Sequence, residues 1–327
     1  MRTIYCFLII LIFSSISTSL LASPPIIQPE KKFSTTQSLG FDKQISIWLV
    51  EKYVTPTLPV TIFTGSTPPP NSRVFDEADS EFSRTVNHST YEQLVNAFKP
   101  DLDSLAYLKK TVFDIEINLW LPDELPDSLQ VEKAFRALQE QWGRDKVPHA
   151  CYTEFFNAIE HLYEEQKNLK GAEAINEKLV CWKDALKNHI NDPSVLVAEM
   201  PIPSLLGSIR SGAKAIFIDV REPDEFAENH IPGAINLLIK DANKSSVESF
   251  KKFDVVVAYC IKDFRGFEMA KKMKSLGISQ AVILNPYGIK GWIDSKLPVY
   301  QQHKINDQQA EALFHTCLTQ PLNCKNQ

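Results

Sequence analysis

The chain has 327 residues, of which 44% are hydrophobic and 23% charged, and its formal net charge is −5. That composition excludes a disordered or fibrous chain, and the length suits two ordinary domains. The slight acidity gives no ground for nucleic-acid binding.

At the start, Arg2 precedes an unbroken apolar run from Ile4 to Phe13, and a Ser/Thr-rich stretch leads to Leu20, Leu21 and Ala22. This pattern predicts a secretory signal peptide over residues 1–22, cleaved after Ala22. The run is about half the roughly 20 residues that a membrane-spanning helix needs, so no membrane attachment is expected after cleavage. Residues 23–39, rich in Pro, Ser, Thr and Lys, predict a flexible lead.

Residues 40–192 predict a mainly α-helical domain. Ile45 to Val50 and Leu58 to Phe63 have the β-branched and aromatic content of strands. Thereafter apolar residues recur at three- and four-residue spacing over about 90–98, 102–119, 128–142, 152–168 and 172–189, as in Ala134, Leu138 and Trp142. The histidines are too dispersed for a ligand cluster, so neither metal nor cofactor is expected. Residues 23–194 carry a net charge of −8, which suits a protein partner, and no family is legible in the helical domain.

From residue 195 the period changes. Strands are predicted over Val195 to Glu199, Ala215 to Val220, Val255 to Tyr259 and Ala281 to Leu284. Helices fall between them over Pro203 to Ser211, Pro223 to Asn229 and Arg265 to Leu276. Alternation of this kind predicts an α/β domain, a doubly wound parallel sheet covered on both faces, over residues 195–302. Residues 303–327 are left as a C-terminal tail.

Cys260 follows the run Val255 to Tyr259 and precedes a helical segment, which puts it at the carboxyl end of a strand, the edge where open α/β sheets bind ligands. Loop N–H groups and the positive end of a helix dipole there should lower its pKa and leave a thiolate at neutral pH. On position alone, a small apolar core residue is the competing reading.

The wider pattern decides between them. Asp219 to Phe226 (DVREPDEF), His230 to Asn236 (HIPGAIN), Cys260 with Arg265 five residues on, Tyr287-Gly288 and Gly291-Trp292 resemble, in order, the motifs of the rhodanese family. The resemblance implies a rhodanese-like fold and a sulfurtransferase activity. Cys260 would take sulfane sulfur from a small anionic donor such as thiosulfate, become a persulfide and pass the sulfur to a thiol acceptor. Ile261, Lys262, Asp263, Phe264, Arg265 and Gly266 match the substrate-binding loop. Asp219, Arg221 and His230 match supporting positions, and Asp219 or Glu222 is the expected carboxylate partner of Arg265. Many active members have Gly where this chain has Asp263. A carboxylate there argues against thiosulfate as donor, although Asp tolerates a left-handed backbone better than most residues. The related phosphatases have one more residue between Cys and Arg.

Export would leave five mature cysteines, and two pairings are expected: Cys317 with Cys324 across Pro321, and Cys151 with Cys181 between two helices. Cys260 is then the unpaired thiol. The sequence therefore predicts a periplasmic or secreted sulfurtransferase. A non-catalytic rhodanese-like binding module and a thiol or persulfide redox sensor are the alternatives.

Overall fold

The computed structural model describes residues 32–65, 67–100, 102–118, 121, 123–188 and 197–320. The predicted signal peptide, the Asp192-Pro193 boundary and Cys324 lie outside the described residues.

The N-terminal part opens with strand β1 (Lys32–Thr36), helix α1 (Phe41–Leu49) and strands β2 (Thr61–Phe63) and β3 (Ser72–Val74). These strands form a parallel sheet in the order β2-β1-β3. Two expectations are corrected here. The end of the supposed flexible lead is the central strand of this sheet, with Phe33, Ser34 and Thr35 buried. Ile45 to Val50 is helical, because every residue of α1 is buried and a short apolar run enclosed on all sides carries no period to separate helix from strand.

Five helices follow: α2 (Thr90–Phe98), α3 (Asp103–Glu116), α4 (Ser128–Trp142), α5 (His149–Gln166) and α6 (Val180–Asn188). Their predicted periodicity is realised as packing. On α4, Val131, Ala134, Phe135, Leu138 and Trp142 face one core with Tyr152, Phe155, Phe156 and Ile159 of α5. Gly143 ends α4 at φ +80°, a conformation that glycine adopts without a Cβ penalty. A disulfide joins Cys151 on α5 to Cys181 on α6, with Cα atoms 5.5 Å apart.

The C-terminal part runs β4 (Ala198–Pro201), α7 (Ile202–Arg210), β5 (Ala215–Asp219), α8 (Pro223–Glu228), β6 (Asn229–His230), β7 (Ile235–Asn236), α9 (Lys244–Val247), β8 (Val255–Tyr259), α10 (Phe264–Ser275), β9 (Ala281–Asn285), α11 (Gly288–Asp294), β10 (Tyr300–Gln301) and α12 (Asp307–Thr319). Five strands form a parallel sheet, β4-β9-β8-β5-β7. Side chains alternate along its strands. Ile216, Ile218, Val256 and Ala258 pack on one face with Met269 and Met273 of α10. Phe217, Val257 and Tyr259 pack on the other with Leu205 of α7 and Trp292 of α11. The supposed tail contains α12, whose Phe314 lies 5.3 Å from the Trp292 ring and 6.3 Å from that of Phe217.

The two parts share their cores. Phe264 of α10 belongs to the N-terminal cluster, and Leu39 belongs to the cluster beneath α10.

Candidate functional site

Cys260 starts the loop between β8 and α10 and is the free cysteine among the described residues, only 3% exposed. Cys317 is disulfide-bonded. The first N–H groups of a helix have no acceptor within the helix, and that of Gly266 is directed at the Cys260 thiol. Gly266 is needed for this approach, since a Cβ there would meet the Ala258 carbonyl and Tyr259 Cα at 3.1 Å.

On the other side, the N–H groups of Ile289 and Lys290 donate to the carbonyls of Cys260 and Ile261 at 2.8 and 3.0 Å. Across planar trans peptides this turns the next two loop N–H groups away from α11. Gly288 makes the contact, at φ +63°, where a Cβ would come within 2.5 Å of three loop carbonyls.

The thiol contradicts one expectation. Burial pushes the Cys260 pKa up, and the positive charge of Arg265 and the Gly266 N–H offset this only in part. The helix end and the cation are where the sequence put them, but the helical domain closes over the loop, and withdrawal of water penalises the thiolate more than they favour it.

Four consecutive loop residues are held individually. Lys262 pairs with Glu132, and the Asp263 carboxylate, 1% exposed, pairs with Arg136 and, at 3.1 Å, with Arg144. Phe264 sits edge-on to Phe135 at 5.7 Å, with the Arg136 guanidinium 4.5 Å above its ring. Glu132, Phe135 and Arg136 occupy one face of α4 at three- and four-residue spacing. Arg265 donates to both oxygens of Glu225 at 2.9 and 3.1 Å. The partner of Arg265 is thus neither Asp219 nor Glu222. Asp219 is taken by Arg221 at 2.7 Å, and Glu222 faces a cavity with its carboxyl pushed by burial up to about 7. Ile261 is buried and, with Arg221 and Glu225, lines a second cavity of about 100 Å³.

Asp263 has φ −131°, so the turn does not use the left-handed backbone considered for it. Nor does its side chain cap α10. It points to the two arginines and leaves the Gly266 N–H to the thiol.

The supporting residues act through the backbone. Arg221 donates to the Asn229 carbonyl at 2.6 Å, and Asn236 ties the carbonyls of Asp219 and Arg221 together. His230 is stacked between Phe226 and Tyr300 and bonded to the Phe226 carbonyl and Asp307. Sequence reasoning missed Glu132, Arg136, Arg144 and Glu225. The Glu132/Arg136 spacing was a signal, but one indistinguishable from a solvated helix face.

Comparison with known proteins separates the two parts of the chain. Residues 203–295 match the family model described as "Rhodanese-like domain". The C-terminal part is a rhodanese-like domain. Residues 33–164 match a different model, "ChrB, C-terminal domain", so the N-terminal part is a separate domain. The uncharacterized protein YibN of Escherichia coli (strain K12) is 34% identical over 91 residues, 26% of this chain and 60% of that protein. The chain thus spans about 60% of the length of that curated relative. Among solved structures, the BH2092 protein of Bacillus halodurans is 26% identical with a TM-score of 0.29, over 36% of this chain and 85% of that one. Thiosulfate sulfurtransferase from Pseudomonas aeruginosa is 20% identical with a TM-score of 0.27, over 32% of this chain and 20% of that one. The rhodanese-like domain carries Cys260 in a loop that the separate N-terminal domain covers.

Proposed function

We propose that this protein is an exported sulfurtransferase whose Cys260 carries sulfur as a persulfide. The observation that carries the reading is the placement of a free thiol at the carboxyl end of a central parallel strand, against the Gly266 N–H in the first turn of α10. In the first half-reaction the thiol attacks the outer sulfur of a donor such as thiosulfate. The new S–S bond forms, the bond to the sulfonyl sulfur breaks, and the thiol proton leaves with the products as hydrogensulfite. In the second, an acceptor thiolate takes the outer sulfur and restores the cysteine. Arg265 supplies the charge that offsets burial of the anionic sulfur, and Glu225 fixes its guanidinium.

The carboxylate of Asp263 is no obstacle to an anionic donor, because two guanidiniums neutralise it. Export is supported by the N-terminal pattern and by the Cys151–Cys181 disulfide, a bond that persists in oxidising compartments. Intact-mass measurement after exposure to thiosulfate or polysulfide tests the reading. A gain of one sulfur, absent in Cys260→Ala, is expected. No adduct from any sulfane donor would leave a rhodanese-like binding module.

A further inference from the structure

The cover over Cys260 is itself held from behind. Helix α4 presents Glu132, Phe135 and Arg136 to the Cys260 loop, and its other side carries the segment that returns from α5 to α6. There the Gly171 N–H donates to Gln130 at 3.0 Å, the Asn176 amide donates to the Ala134 carbonyl at 2.8 Å, and Lys133 pairs with Glu173 at 3.3 Å. Leu169, Ala172, Ile175 and Leu179 of the same segment enter one core with Val131, Phe135 and Leu138 of α4. α4 therefore lies between the returning segment and the loop, and whatever holds the segment down also holds the cover shut.

The segment ends at Cys181, which the disulfide fastens to Cys151 near the start of α5. The bond is placed for exchange with a thiol. Cys181 is half-buried and Cys151 only 1% exposed, so an incoming thiolate meets the Cys181 sulfur and Cys151 is the leaving group. Cys151 lies in the first turn of α5, where the helix dipole favours a thiolate, and a thiol of lowered pKa leaves faster. Beside Cys181, the Glu154 carboxylate of α5 accepts from the Val180 and Cys181 N–H groups at 2.6 and 3.1 Å. This contact does not depend on the S–S bond, so α6 keeps a tie to α5 when the bond opens.

We propose that the Cys151–Cys181 disulfide is a redox latch on the Cys260 loop. Closed, it keeps α4 over the thiol; reduced by a dithiol, it loosens the returning segment and raises the fraction of molecules in which Cys260 meets solvent. One thiolate of the dithiol attacks the Cys181 sulfur, the Cys151–Cys181 bond breaks, and the Cys151 sulfur leaves with the electron pair and takes a proton. The second thiol of the dithiol then attacks its own partner sulfur in the mixed disulfide and releases Cys181 as a thiol. The dithiol ends as a disulfide, and the protein has gained two electrons and two protons. As regulation of sulfur transfer the inference rests on the sulfurtransferase reading; as control of access to Cys260 it stands apart from it.

The test uses the full chain. Replacing both Cys151 and Cys181 by Ser removes the latch without reductant and leaves the disulfide of Cys317 in place. Alkylation of Cys260 by iodoacetamide under native conditions should be at least about fivefold faster in this double variant than in the wild type, and loading of sulfur from thiosulfate should rise with it. Asn176→Ala keeps the bond but cuts the tie to α4, and should raise the alkylation rate in the same direction. Leu205→Ala opens a cavity under α7, away from α4, and should change the rate less than about twofold although it destabilises the fold. Hydrogen exchange should quicken in α4 and residues 261–264 and not in β5 and β8. In the wild type, dithiothreitol should open Cys151–Cys181 without denaturant. An unchanged rate in both the double variant and Asn176→Ala, an equal rise in Leu205→Ala, or a bond that dithiothreitol opens only in urea would overturn the latch. If alkylation quickens as described but no donor loads Cys260 in either form, the transferase reading fails and the latch stands.

Discussion

Replacing Arg136 by Met removes one of the two guanidiniums on the buried Asp263 carboxylate and the cation over the rings of Phe264 and Tyr287. Stripping a buried charge of its partner costs about 3–5 kcal/mol. Arg144 remains at 3.1 Å and the Arg136 side chain is 16% exposed, so a smaller loss, about 2 kcal/mol, is expected for the closed arrangement. Because a tenfold change in an equilibrium corresponds to about 1.4 kcal/mol, the open population should rise about 30-fold. Alkylation of Cys260 by iodoacetamide under native conditions reads this directly, since a 3% exposed thiol reacts through opening and the rate follows the open population when closing is fast. The control is Lys251→Ala, which breaks an exposed pair with Glu248 and should change the rate less than about twofold. An Arg136→Met rate equal to or below that of the wild type would refute the view that α4 shuts the loop.

Gly288→Ala puts a Cβ 2.2 Å from the Lys262 carbonyl at φ +63°, and should cost about 2–4 kcal/mol in urea unfolding and abolish sulfur loading. Cys151→Ser opens a cross-link with a sequence separation of 30, which should lower stability by roughly 3–4 kcal/mol; reductant should lower the melting temperature of the wild type more than that of this variant, which keeps the disulfide of Cys317. Asp42, Glu222 and Glu268 have folded pKa values raised to about 6, 7 and 7. They hold protons in the folded chain that the unfolded chain releases near pH 4, so their contribution is complete below that pH and is lost as pH rises toward 7. The urea midpoint should therefore be higher at pH 5 than at pH 7, with a smaller difference in Glu268→Gln. Glu225, lowered to about 2 mainly by Arg265 against the effect of burial, acts oppositely, and its contribution disappears only below about pH 4.

The C-terminal fold was legible because its strands are buried on both faces and read as short apolar runs, and Val255 to Tyr259 was placed to the residue. Cys260 and its loop were legible for the same reason, together with four motifs in fixed order. What occupies the loop's outer side was not. Glu132 and Arg136 read as one more i, i+4 pair, and only the tertiary arrangement shows them facing Lys262 and Asp263. The Cys260 pKa went the wrong way for a related reason, since local sequence carries the helix end and the cation but not the domain that removes the water. The N-terminal sheet was partly hidden because its strands are three to five residues long and lie among prolines and serines.

The insertion of Phe264 into the core of the N-terminal domain has a bearing on how the protein is dissected. An expression fragment spanning only residues 197–320 would place the Phe264 ring in water and leave Asp263 and Lys262 without partners beside the thiol. Such a fragment could keep every motif of its family and still misreport the protein, showing a more acidic, freely alkylated cysteine and a donor preference that belongs to the amputation. Conversely, a variant library confined to the rhodanese-like domain would leave unsampled the residues of α4 that decide when Cys260 meets solvent.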